Sequence, residues 1–134
     1  MRFLTSALLF PVAVLLLSGC AANKRAQLED EINNYILALK RDDKMAALSF
    51  VQAENKKEFF SKSQKLDKIQ ISNIKIEGIF PNENLDEALV TLSLEYFRPT
   101  SMNLSTSKRL YTWNYNKEAK AWLLKGSQPF GRTQ

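Results

Sequence analysis

The amino-acid sequence predicts an α+β domain in which two N-terminal helices pack in a curved, mainly antiparallel sheet of four strands. Three observations lead there. Apolar residues recur at three- and four-residue steps in the first half of the chain, and beyond Leu66 they alternate with polar ones. Turn signals such as Pro81-Asn82-Glu83-Asn84 separate the alternating runs. Two helices followed by four meander strands segregate the helices from the sheet in sequence, which is the α+β arrangement.

The chain opens with a different kind of segment. Arg2 precedes an uncharged run from Phe3 to Leu17, the length of a signal-peptide hydrophobic region and short of the about twenty apolar residues of a spanning helix. Lys24 and Arg25 follow it. The run closes on Leu17-Ser18-Gly19-Cys20, and Cys20 is the chain's one cysteine, so no intramolecular disulfide can form. This pattern resembles the lipobox of bacterial lipoproteins. The resemblance implies cleavage between Gly19 and Cys20, diacylglycerol on the Cys20 thiol and an acyl chain on its new amino group. Ala21, where an inner-membrane protein of this type carries aspartate, implies the outer membrane, facing the periplasm. Two or three acyl chains anchor a protein durably where one chain binds marginally.

The expected organisation is a signal peptide over 1–19, a lipidated tether over 20–26 and one domain over 27–134. Arg2 leaves with the leader, so 18 of the 19 basic residues remain against 14 acidic ones, a net charge of +4. That mild balance excludes nucleic acid as the expected partner, because such proteins cluster their basic charge in a stripe. The expected partners are the membrane, through the anchor, and an envelope protein or a second copy of the chain.

Within the domain, Leu28, Ile32, Tyr35, Ile36 and Leu39 form one helical stripe, with Glu29, Asp30, Asn33 and Lys40 elsewhere. Arg41-Asp42-Asp43 interrupts it, and either aspartate can cap a second helix that begins near Lys44, carries Met45, Leu48 and Val51, then Phe59 and Phe60, and pauses near Asn55. Ile69 and Ile71 share one strand parity and Ile74 and Ile76 the other, so Ser72-Asn73 marks a bulge. The second strand places Ala88, Val90, Leu92, Leu94 and Tyr96 on one face. A loop at Pro99–Met102 leads to a third strand near 104–116, with Tyr111, Trp113 and Tyr115 on one face, and a turn at Asn116–Ala119 leads to a last strand, Lys120 to Lys125, carrying Trp122 and Leu124.

The stretches YILALKRDDKMAALSFV, DEALVTLSLEYF and YTWNYNKEAKAWLL together resemble the cone-shaped NTF2-like superfamily, which includes ketosteroid-isomerase-like and SnoaL-like proteins. An isomerase of that kind implies an Asp or Glu base and hydroxyl donors for an enolate; Glu77 or Glu95 are the candidate bases, and Tyr35, Tyr96 and Tyr111 the candidate donors. Glu95, however, falls on the polar face of its strand. The chain has no histidine and no cysteine inside the domain, which removes the usual neutral-pH base, zinc ligands and thiol nucleophiles. No catalytic residue, metal or cofactor is therefore expected, and the domain reads as a non-catalytic binding or assembly module. The alternatives are a carboxylate-based enzyme and a carrier for a small apolar molecule. Tyr35, Tyr96, Tyr111 and Trp113 are the candidate pocket residues. Asp42-Asp43 suit helix capping better than calcium, whose loops spread their ligands over about twelve residues. Trp113 and Trp122 suit either cross-strand packing or stacking on a flat ligand. Lys56, Lys57, Lys62, Lys65 and Lys68 form a solvated face that also fits anionic lipid heads or an acidic partner.

Overall fold

The computed structural model describes residues 10–65, 69–98 and 100–133, with side chains from Ala22. Arg2, Lys68, Pro99 and the Cys20 side chain lie outside the described residues. The first helix, α1, spans Phe10–Lys40. Leu28, Ile32, Tyr35, Ile36 and Ala38 are buried along one side of it, with Leu39 half-buried. Residues 24–27, expected in the tether and its junction, are helical and already touch the sheet: the Trp122 indole N–H donates to the Lys24 carbonyl at 2.9 Å, and Gln27 Nε2 to the Lys120 carbonyl at 2.7 Å. Among the described residues no helix is long and apolar enough to cross a membrane.

The two aspartates after α1 have separate tasks. Asp42 takes a left-handed conformation (φ 53°), and the N–H groups of Asp42 and Asp43 donate to the Leu39 and Ala38 carbonyls, which closes the last turn of the helix. Asp43 Oδ1 then accepts from the Ala46 N–H at 3.0 Å and caps α2, Lys44–Leu48.

The expected second helix is split. After α2 the backbone leaves the helix and pairs with the last long strand: Gln52 N–H donates to the Leu124 carbonyl at 3.0 Å, and Leu124 N–H to the Phe50 carbonyl at 2.7 Å. A single 3-10 turn at Ala53–Asn55 then leads into α3, Lys56–Lys65. The pause thus begins at Ser49, earlier than Asn55. Met45, expected on the apolar stripe, is 66% exposed, and Ala47 takes the buried position.

Four long strands, β1 (Gln70–Pro81), β2 (Glu87–Phe97), β3 (Leu104–Asn116) and β4 (Ala121–Lys125), form an antiparallel sheet in that order. A short β5 (Arg132–Thr133), absent from the expectation, pairs with β3 at Leu110 and Arg109. Ser72 is the extra residue of a bulge, as its parity required, and a second register shift falls at Glu77. Asn116 Oδ1 accepts from the Ala119 N–H at 2.9 Å and shapes the β3–β4 turn.

One face of the sheet carries Ile74, Ala88, Val90, Leu92, Leu94, Tyr111, Trp113, Trp122 and Leu124 into the core. That face packs against α1, Ala47 of α2, Val51 and Phe59 of α3. The α+β architecture is as expected, with helices against a curved antiparallel sheet.

Candidate functional site

The centre of the core is aromatic. Tyr35 falls on the same α1 stripe as Leu28 and Ile32, and its ring meets Phe50, Tyr111 and Trp113 edge to face, with centroids 5.9, 5.9 and 5.7 Å away. Strand alternation places Tyr111 and Trp113 on the same inner face. Both tyrosine hydroxyls donate to one acceptor, the buried Pro129 carbonyl: Tyr35 at 2.6 Å and Tyr111 at 3.0 Å. Burial, and then the neighbouring Tyr111, push the Tyr35 phenol well above its ordinary range; burial raises Tyr111 too, against a smaller pull from Arg109. At neutral pH both are uncharged donors with their bonds made.

Three of the four candidate pocket residues, Tyr35, Tyr111 and Trp113, are thus together, but as the filling of the cone. Tyr96 stands apart near the end of β2, half-buried, opposite Ile71 and Ser105. The open space lies beside this cluster. A cavity of about 330 Å³ opens between the C-terminal end of α1, α2, α3, the start of β1 and the C-terminal segment. Ala38, Ala47, Phe59, Ile71 and Phe130 supply apolar wall, and Lys40, Asp42, Asp43 and Lys44 also line it. Ser63, the buried polar residue in this wall, gives its hydroxyl to the Phe59 carbonyl at 2.8 Å, so it asks nothing of a ligand.

The carboxylates are elsewhere. Glu77 is exposed on β1, and Glu95 sits half-exposed between Asn73 and Thr106. Glu31 is raised by partial burial and by Asp30, and is not a lining residue of the cavity. Among the described residues no carboxylate is buried, and no group of three or more His, Cys, Asp or Glu is arranged to hold a metal.

Trp113 and Trp122 are fully buried. Trp122 packs on Tyr115, its cross-strand partner, with centroids 5.5 Å apart, and Lys24 Nζ sits 4.4 Å from the Tyr115 ring centroid. Neither indole has a face open to a ligand. On α3, Lys62 pairs with Glu58 at 2.9 Å and donates to Ser127 Oγ at 3.1 Å, while Lys56, Lys57 and Lys65 are exposed. The Lys62 and Ser127 bonds hold the Glu58 carboxyl below its usual range.

Sequence reasoning missed Pro129 and Phe130, which close the cone and wall the cavity. Their one visible signal is the spacing of Gly126, Pro129 and Gly131, a turn-forming set after the last long strand.

No family model matches the chain, and no curated protein does. Solved structures do. A ketosteroid isomerase-like protein from Erwinia carotovora atroseptica SCRI1043 superposes with a TM-score of 0.62 at 13% identity, covering 75% of this chain and 90% of that one. The delta 5-3-ketosteroid isomerase from Mycobacterium sp. gives 0.53 at 15% identity, over 72% and 88%. A computationally designed 17-OHP binder gives 0.51 at 15% identity, over 72% and 88%. The chain has the NTF2-like fold. Identities this low speak for the fold alone.

Proposed function

We propose that this protein is a lipid-anchored envelope lipoprotein whose domain binds a small apolar molecule and does not transform it. The observation that carries the binding half is the mouth cavity: about 330 Å³, at the lower end of ligand-pocket sizes, with Ala38, Ala47, Phe59, Ile71 and Phe130 as its apolar wall beside a polar side of similar extent. A proton-transfer enzyme needs a base within hydrogen-bond reach of the reacting carbon's proton. Here the tyrosine hydroxyls are spent on Pro129, and the carboxylates lining the cavity are those of Asp42 and of Asp43, which caps α2. Frames of this shape serve an isomerase and a designed binder alike, so the fold is compatible with binding without chemistry.

The anchor half rests on the lipobox-like Leu17-Ser18-Gly19-Cys20, with outer-membrane placement and a periplasm-facing domain following from Ala21. At about 1.5 Å of rise per residue, Lys40 at the cavity lies about 30 Å along α1 from Cys20. A second reading, assembly, is favoured by Phe80 and Leu89, register partners on the outer sheet face that are 63% and 40% exposed.

Hydrogen exchange on the full chain in lipid nanodiscs tests the cavity, with butylbenzene as the probe. Exchange should slow at Phe59–Ser63 and at 69–71, and Ala47→Leu, which fills the space, should abolish the effect. An unchanged pattern in a butylbenzene-saturated sample rejects the binding reading. Intact mass tests the anchor: Cys20 should carry acyl chains at the mature N-terminus, and Cys20→Ala should leave the unprocessed precursor. An unmodified Cys20 removes the lipoprotein reading.

A further inference from the structure

The stretch that joins Cys20 to the domain is short and already packed. Residues 24–27 lie against the β3–β4 hairpin: the Lys24 carbonyl accepts from the Trp122 indole, the Lys24 ammonium covers the Tyr115 ring, and Gln27 donates to the Lys120 carbonyl. Tyr115 and Trp122 pack on each other in turn. Because α1 is helical from Phe10 to Lys40, Lys24 stands about 6 Å and Gln27 about 10 Å of helix rise from Cys20. Even fully extended, four residues reach no more than about 14 Å. Whatever the tilt of α1, an acyl chain on Cys20 therefore holds this end of the domain near the lipid headgroups.

Charge at this end is uneven. Residues 22–27 and the turn 116–121 carry Lys24, Arg25, Lys117 and Lys120 against the carboxylate of Glu118, and all but the half-buried Lys24 are exposed. The β1–β2 turn shares the same end of the sheet, because Tyr115 N–H donates to the Asp86 carbonyl at 2.8 Å, and it carries Glu83, Asp86 and Glu87. Charges act over about 8 Å at physiological salt, which spans the rise from Cys20 to Lys24. An anionic surface draws the basic side inward and repels the acidic turn.

We propose that residues 22–27 and the β3–β4 turn form a membrane-contact face, in which Lys24, Arg25, Lys117 and Lys120 engage anionic phospholipid heads and tilt the domain onto its β3–β4 side. The proposal rests on the reading of Cys20 as lipidated. The packed residues 24–27 make the contact a property of the whole domain: they cannot swing freely, so the side they are bonded to is the side that meets the bilayer.

Cys20 is the chain's one cysteine and its thiol is taken by the acyl group, so Ala119→Cys or Asn84→Cys in the full lipidated chain accepts a single fluorophore. Both positions are exposed turn residues, one on the basic side and one on the acidic side. Nanodiscs that contain a lipid with a quencher on its headgroup then report which turn meets the surface. With phosphatidylglycerol present, the label at position 119 should be quenched roughly threefold more than the label at position 84. The two should approach equality in phosphatidylcholine alone, in molar salt, and after Lys117→Glu combined with Lys120→Glu. Equal quenching in phosphatidylglycerol, on chains whose intact mass shows acylated Cys20, overturns the contact face and leaves the lipoprotein reading standing. A preference for position 119 that neither salt nor charge reversal alters also overturns it, since the tilt is then not electrostatic. An unacylated Cys20 removes both readings.

Discussion

Raising the pH should unfold this domain through Tyr35 and Tyr111, and the size of the effect follows from their burial. Each phenol ionises near pH 10 in the unfolded chain, whereas burial holds the folded-state value above that for both. Between the two values the unfolded chain has released protons that the folded one still binds, so stability falls as pH rises. The contribution is fully present below about pH 10 and is lost from there toward the raised folded-state values. Each tyrosine removes about 1.4 kcal/mol per pH unit in that window, so the two together remove about 2.7 kcal/mol per unit while both stay neutral in the folded chain. That is a large share of the whole stability of a small domain, about 5–15 kcal/mol. The assay is urea unfolding at increasing pH, followed by the fluorescence of the buried Trp113 and Trp122, beside tyrosinate absorbance. Lysines titrate in the same range, so the decisive comparison is with Tyr35→Phe plus Tyr111→Phe, whose stability should fall far less steeply across this window. Parallel curves for the two proteins would show that the phenols are not held neutral by the fold.

The adjacent aspartates should respond with opposite signs. Asp43→Ala removes the α2 cap and should cost about 1 kcal/mol, a few degrees of Tm in thermal unfolding. Asp42→Gly relieves a left-handed non-glycine residue and should be neutral or stabilising by up to about 1 kcal/mol; equal losses at both sites would contradict the assignment. Trp122→Phe leaves the Lys24 carbonyl without its indole donor and should cost about 1–3 kcal/mol, with faster tryptic cleavage at Lys24 and Arg25 as the earlier sign.

The strands were legible because one-sided burial imposes a period of two, and Val90, Leu92 and Leu94 keep it without interruption. Even the bulge at Ser72 showed, since an extra residue inverts the parity of the isoleucines around it. The first helix and its acidic stop were legible for the same local reason. What escaped was set by distant backbone. Nothing between Ser49 and Gln52 announces a break, because its cause is Leu124, whose N–H and C=O draw Phe50 and Gln52 out of the helix. Pro129 escaped in the same way, since its contribution is a carbonyl that every residue possesses and no side-chain pattern records. The candidate pocket residues were chosen by residue type, and type does not say whether a hydroxyl is already satisfied.

That satisfaction is what separates the two functions open to a cone of this shape. A tyrosine that stabilises developing charge must keep its donor free for the oxygen on which the charge appears. Tyr35 and Tyr111 instead enclose an oxygen that belongs to the chain, and the candidate bases Glu77 and Glu95 stand exposed and half-exposed on their strands. Among the described residues the hydroxyl donors and the carboxylates thus lie apart, whereas an enolate site sets them side by side.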